Sequence, residues 1–166
     1  TGGFGARYGD RLSSVLDLDL RPGRDDRWGG KATVSATQFG LNLEGPAGPR
    51  GSLLASARRS YLDLIFKAAG QPFVPVYSDY NLFYEAEPTR NDRVSLLGLA
   101  AIDRVERERE TAKDRRANAG IMGNRQDQFV GGARWRRLQE AGFFEVVAGA
   151  NRTDFAHLQR FVYDLL

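Results

Sequence analysis

Residues 27–46, RWGGKATVSATQFGLNLEGP, place a large or apolar residue at every second position and a small or polar one between. Trp28, Gly30, Ala32, Val34 and Ala36 share one face against Lys31, Thr33, Ser35 and Thr37. After a tight connection near Gln38, Phe39, Leu41 and Leu43 oppose Gly40, Asn42 and Glu44. This period of two predicts a hairpin of half-buried strands, with EGPAGPRG as the turn that follows. What lies against the dry face, protein or lipid, is the question the pattern raises.

The period recurs along the chain. Leu53, Ala55, Ala57 and Tyr61 oppose Ser52, Ser56, Arg58 and Ser60, with Arg59 interrupting the apolar row. Tyr80, Leu82, Tyr84 and Ala86 oppose Asp79, Asn81 and Glu85; Val94, Leu96, Gly98, Ala100 and Ile102 oppose a less polar face that ends in Asp103. Phe129, Gly131, Ala133 and Trp135 oppose Gln128, Gly132, Arg134 and Arg136, and Phe144, Val146, Ala148 and Ala150 oppose Glu145, Gly149 and Asn151. About seven strands are thus predicted after residue 24. Before them, Leu16, Leu18 and Leu20 alternate with Val15, Asp17 and Asp19 until Pro22 and Gly23 stop the run, which predicts one more half-buried strand. Asp17 and Asp19 read as a solvated strand face rather than a metal or acid–base pair, because no histidine is near them.

Connections alternate between short, near 45–51, 88–92 and 139–142, and long, at 65–76 and 104–127. Residues 103–116 are almost all charged and read as a solvated helix or loop, and HLQRFVYDLL at the end as a short helix or another loop. Membrane barrels keep short periplasmic turns at one end and longer extracellular loops at the other. Trp28, Tyr61, Tyr80, Tyr84, Trp135 and Phe143 fall near predicted strand ends, where aromatic rings favour a membrane–water boundary.

Composition agrees with short strands and polar loops: 42% apolar residues stand beside 19 Gly and 27% charged residues in a chain of 166. Cysteine is absent, which removes disulfides and thiolate sites. Lys and Arg exceed Asp and Glu by 24 to 21, but they are scattered among acids, so no focused basic surface for nucleic acid is predicted. No stretch approaches the ~20 apolar residues of a transmembrane helix. The start, without Met and in a Gly-rich turn, reads as that of a processed or excised piece.

GGFGARYGDRLSSVLDLDLRPG resembles the last plug-domain strand of TonB-dependent outer-membrane receptors, through Gly3, Phe4, Arg7, Tyr8, Gly9, Arg11, Leu12, Ser13 and Ser14. LEGPAGPRGSLLASARRSYLDL is similar to their early barrel strands at Glu44, Gly45, Pro46, Gly51, Arg58, Arg59, Ser60 and Tyr61, and YSDY, LLGLAAID and GGARWRRL extend the likeness. The resemblance implies an all-β fold, an antiparallel up-and-down transmembrane β-barrel portion preceded by the last strand of a plug domain. Residues 1–23 are then the end of the plug and 24–166 the N-terminal part of the barrel. A complete barrel of this family has about 22 strands, so the chain reads as a fragment of a larger receptor.

The implied function is energised uptake of a nutrient such as an iron chelate, vitamin, glycan or peptide across the bacterial outer membrane. The implied partners are TonB and the inner-membrane energising complex, reached through a segment upstream of Thr1, outer-membrane lipid, and a nutrient ligand at the extracellular loops. Arg58, Asp79, Asn81, Arg134 and Arg136 on the inner face read as structural charge pairing rather than ligand contacts. No catalytic residue, metal ligand or cofactor site is predicted: HExxH, GxSxG, P-loop and dinucleotide patterns are missing, and the single histidine, His157, reads as a surface residue. The competing expectations are a soluble β-rich binding module, whose apolar faces pack on one another, and a small passive pore.

Overall fold

The computed structural model describes residues 19–71, 73–107 and 123–158. Its strands are β1 (Gly29–Val34), β2 (Gln38–Pro46), β3 (Gly51–Ser60), β4 (Phe73–Ala86), β5 (Asp92–Arg107), β6 (Gly123–Gln139) and β7 (Gly142–Leu158), with one helix, α1 (Leu62–Ala68), between β3 and β4. They form a single seven-stranded sheet in sequence order, every neighbouring pair antiparallel. The chain is an all-β, up-and-down meander, with the seven strands that the alternation predicts.

Register is continuous through every pair, so side chains keep their face across the whole sheet. One row runs Leu43, Ala55, Leu82, Gly98, Gly131 and Ala150. A slip of one residue anywhere would move a strand's apolar set to the other side. The turns at one end, 47–50, 87–91 and 140–141, are short. At the other end the 35–37 turn is also short, while the β3–β4 link carries α1 and the β5–β6 link is the longest.

Three elements differ from expectation. The β3 strand ends at Ser60, and the following residues form α1 where a strand end and a loop were predicted. Asp63 in its first turn and Lys67 in its last suit the helix dipole, and Gly70, at φ +64°, ends it. Tyr61 stands in no strand; its N–H donates to Thr37 O and its hydroxyl to Ser35 O, tying the β1–β2 turn to the start of α1. Next, β5 continues through Arg107 and β6 begins at Gly123, so both ends of the predicted 104–127 loop are strand; residues 108–122 lie outside the described set. Pairing with β4 along residues 103–107, and with β6 as far as Arg104, holds these charged residues extended without an apolar face. Finally, β4 starts at Phe73 and carries Pro75 beyond the last β3 pair, Arg59↔Ser78, where a missing N–H costs no bond to β3.

Residues 1–18, with most of the predicted plug strand and Asp17, lie outside the described residues, as do 159–166 at the predicted C-terminal helix or loop. Asp19–Gly23 have no regular secondary structure. This segment runs close to β3: a Cβ on Gly23 would meet Leu53 O at 2.2 Å, so only glycine allows the approach. The indole of Trp28 covers Gly45, where a Cβ would lie 2.4 Å from the ring.

Among the described residues, Ala86 is the one hydrophobic side chain that is buried. Among the described residues strands pack on the strands beside them, and α1 on β4, and no second layer covers either face. The self-packed apolar faces expected of a soluble β module are not found among these residues.

Candidate functional site

The continuous register sorts the strands into two unlike faces. On the first, Leu41 and Leu43 of β2, Tyr80 and Leu82 of β4 and Phe129 of β6 are all more than two-fifths exposed. Between these large side chains the small ones, among them Ala55, Ala57, Gly98 and Gly131, form the floor of an open groove of about 830 Å³. The small residues of this face therefore shape a trough between apolar walls.

The band has borders. Toward the short-turn end stand Trp28, Tyr84 and Trp135; Trp135 donates its indole N–H to Asp92 at 3.0 Å and packs edge-on to Phe144 at 5.7 Å between ring centroids. An indole with one wet end and one dry end suits a boundary between water and an apolar medium. Of the other predicted boundary aromatics, Tyr80 marks the opposite border, next to Ser78. Phe143 turns to the second face, beneath the Arg136 guanidinium at 4.6 Å. Along β5 the apolar run from Val94 to Ile102 is about 27 Å of strand. Tilted as barrel strands are, that length approaches the ~25 Å apolar band of such proteins.

Beyond the long-link border the same face turns polar. A smaller recess of about 290 Å³ is lined by Arg59, Asp63, Lys67, Ser78, Ile102 and Arg104. Sequence reasoning missed this grouping, although a signal was present: Arg104 continues the even-numbered phase of Val94 to Ile102.

On the second face the polar groups satisfy one another, while Leu138, Phe143, Val147 and Phe155 at its β6–β7 side stand exposed. Arg58 pairs with Asp79 across β3 and β4 at 2.8 Å, and Asn81 donates to Ser56 at 2.9 Å. Arg134 and Arg136 converge on Glu145 at 2.7 and 2.6 Å, and Ser95 donates to Glu85 at 3.2 Å. Thus all five residues singled out on this face have partners within the sheet. The 19–28 segment adds Arg21, which holds Glu44 at 2.6 Å. In the same segment the Arg24 guanidinium, hydrogen-bonded to Asp26, holds that carboxyl below the usual aspartate range.

Other chemistry is sparse among the described residues. Asp19 is exposed, and no group of three acidic, histidine or cysteine side chains is placed to hold a metal ion. His157 is exposed on β7 and stacks on Phe155 at 6.0 Å. The arrangement offers an apolar surface for burial and a ladder of charge pairs. No helix among the described residues is long and apolar enough to cross a membrane, which says nothing of strands. Comparisons of the chain with protein-family models, curated proteins and solved structures each find no match.

Proposed function

We propose that this chain is one arc of an outer-membrane β-barrel, the start of a TonB-dependent receptor that imports a scarce nutrient. The observation that carries the reading is a single-layer meander whose apolar face is uncovered while its polar face is internally paired. Lipid covers the first face, and the barrel interior, with its plug, faces the second. In hydrocarbon every backbone group must be paired, so the outer edges of β1 and β7 are met by further strands of the same receptor. Unequal link lengths at the two ends support the orientation, with the long links extracellular. The receptor family itself rests on the resemblance of residues 3–14 and 44–61, and TonB is the energising partner on the same ground.

The test starts from the native protein in cells that make it. The expected result is an outer-membrane polypeptide several times larger than 18.4 kDa that migrates differently before and after heating, with nutrient uptake lost when TonB is deleted. A soluble 18.4 kDa species, monodisperse without detergent, would end the barrel reading. A heat-modifiable barrel whose transport ignores TonB would leave a passive pore.

A further inference from the structure

The segment before β1 grips the sheet from both sides at its short-turn rim. On the second face Arg21 forks onto Glu44 of β2, Nη1 to Oε2 at 2.6 Å and Nη2 to Oε1 at 3.2 Å. On the first face the indole of Trp28 lies on Gly45, the next residue of β2. Between these two holds Gly23 rests against the Leu53 backbone of β3, where any side chain would collide with the carbonyl. The turn that joins them is knit to itself: Arg24 donates two hydrogen bonds to Asp26, both at 3.0 Å, and its side chain passes over Gly29.

The three holds differ in kind, so no single change of condition releases them. A forked arginine–carboxylate pair fixes orientation as well as distance. The Gly23 contact is a close approach of two backbones, which salt and pH leave alone. The Trp28 ring gains from its place at the boundary between the apolar band and water. Arg21 and Trp28 thus bracket β2 from opposite faces, and the segment leaves the sheet only by giving up all three contacts.

We infer that residues 21–28 form a strap that keeps the end of the plug on the β2–β3 wall throughout transport, so that the solute path opens with this joint shut. The inference rests on the barrel reading, in which the second face lines the lumen and residues 1–23 end the plug. A nutrient passes only when what fills the lumen moves. The strap leaves that movement to the parts of the lumen away from β2 and β3.

The test uses the full native receptor in cells. Heat-dependent migration and TonB-dependent uptake are checked first in the unaltered protein; if they fail, the barrel reading fails, and if they hold, the results that follow judge the strap alone. Arg21→Cys and Glu44→Cys, in a receptor without other cysteines, are joined by a short reducible bis-methanethiosulfonate. The probe is radiolabelled extract of the cells' own growth medium, counting only the uptake that deletion of the receptor gene removes. Expected is linkage in resting cells and uptake equal to that of the unaltered receptor. Thiols that never link, or uptake lost on linking and regained on reduction, overturn the inference. Gly23→Val gives a second, independent reading, because a valine cannot rest against Leu53. It should free the strap and admit vancomycin, a bulky hydrophilic antibiotic, through a barrel that still shifts its migration on heating. Vancomycin resistance equal to that of the parent cells overturns the inference as well.

Discussion

Along β4 the two faces of the sheet differ residue by residue. Tyr80 and Leu82 stand about half exposed, while Asp79, Asn81 and Glu85 on the opposite side are each bonded to a neighbouring strand. A single layer can complete its hydrogen bonds and charge pairs within itself. It cannot complete its hydrophobic burial, because the apolar side chains of one layer have nothing to meet. The bare face therefore states a requirement for another body across its width, whereas on the paired face only the β6–β7 side does, where Leu138, Phe143, Val147 and Phe155 stand exposed.

The sharpest way to break that contrast is one arginine on each face. In lipid, Leu82→Arg in the full receptor should cost about 2–4 kcal/mol, the penalty for a cation near the bilayer midplane. Asn81→Arg, one residue along, loses the bond to Ser56 and should cost about 1 kcal/mol. Urea unfolding in lipid vesicles measures both. Equal costs would mean that the faces share one environment, which the lipid reading forbids.

A smaller effect is expected where the 19–28 segment wraps the sheet edge. Trp28 occupies the space that a side chain on Gly45 would need. Gly45→Val should displace the ring and cost about 1–3 kcal/mol through overpacking. In the full receptor with every other tryptophan replaced by phenylalanine, the emission of Trp28 should shift to the red; an unchanged spectrum would show that the ring does not rest there. Glu145→Gln comes next. It leaves Arg134 and Arg136 facing a neutral amide, and because both guanidinium groups are about two-fifths exposed, the loss should be about 1 kcal/mol or less.

Much of this contrast was legible in the sequence, and the reason is specific. Alternation over Phe39–Leu43, Tyr80–Ala86 and Val94–Ile102 carries face and strand together, because one side of each must be dry. Where neither side is dry the signal vanishes. Residues 103–107 are strand because β4 pairs with all five and β6 with Asp103 and Arg104, and seven residues of α1 are too few to establish a helical period. Pairing partners were less visible still. That Arg136 meets Glu145 depends on the two-residue turn at 140–141, which sets the register. The basic recess needs α1, β3, β4 and β5 brought together, and no single stretch of sequence encodes that.

The smallest expected effect supplies the baseline for the polar face. Arg24 and Asp26 form an ion pair in the coil before β1, outside the strands altogether. Folding lowers the Asp26 pKa through the hydrogen bond from Arg24, so the pair favours the native state above the unfolded aspartate value and is lost as pH falls through the lower, folded one. Asp26→Asn should therefore reduce stability at pH 7, and the difference should shrink as pH falls below the unfolded aspartate value, about 3.9. Salt near 1 M should also erase the effect, since the Debye length is then about 3 Å. A double-mutant cycle on Arg58 and Asp79, set beside one on Arg24 and Asp26, then reports on the space that face encloses. An aqueous barrel interior predicts that the two cycles shrink together as salt rises. A coupling between Arg58 and Asp79 that survives salt, while that of Arg24 and Asp26 does not, would mean that the polar face is as dry as the apolar one.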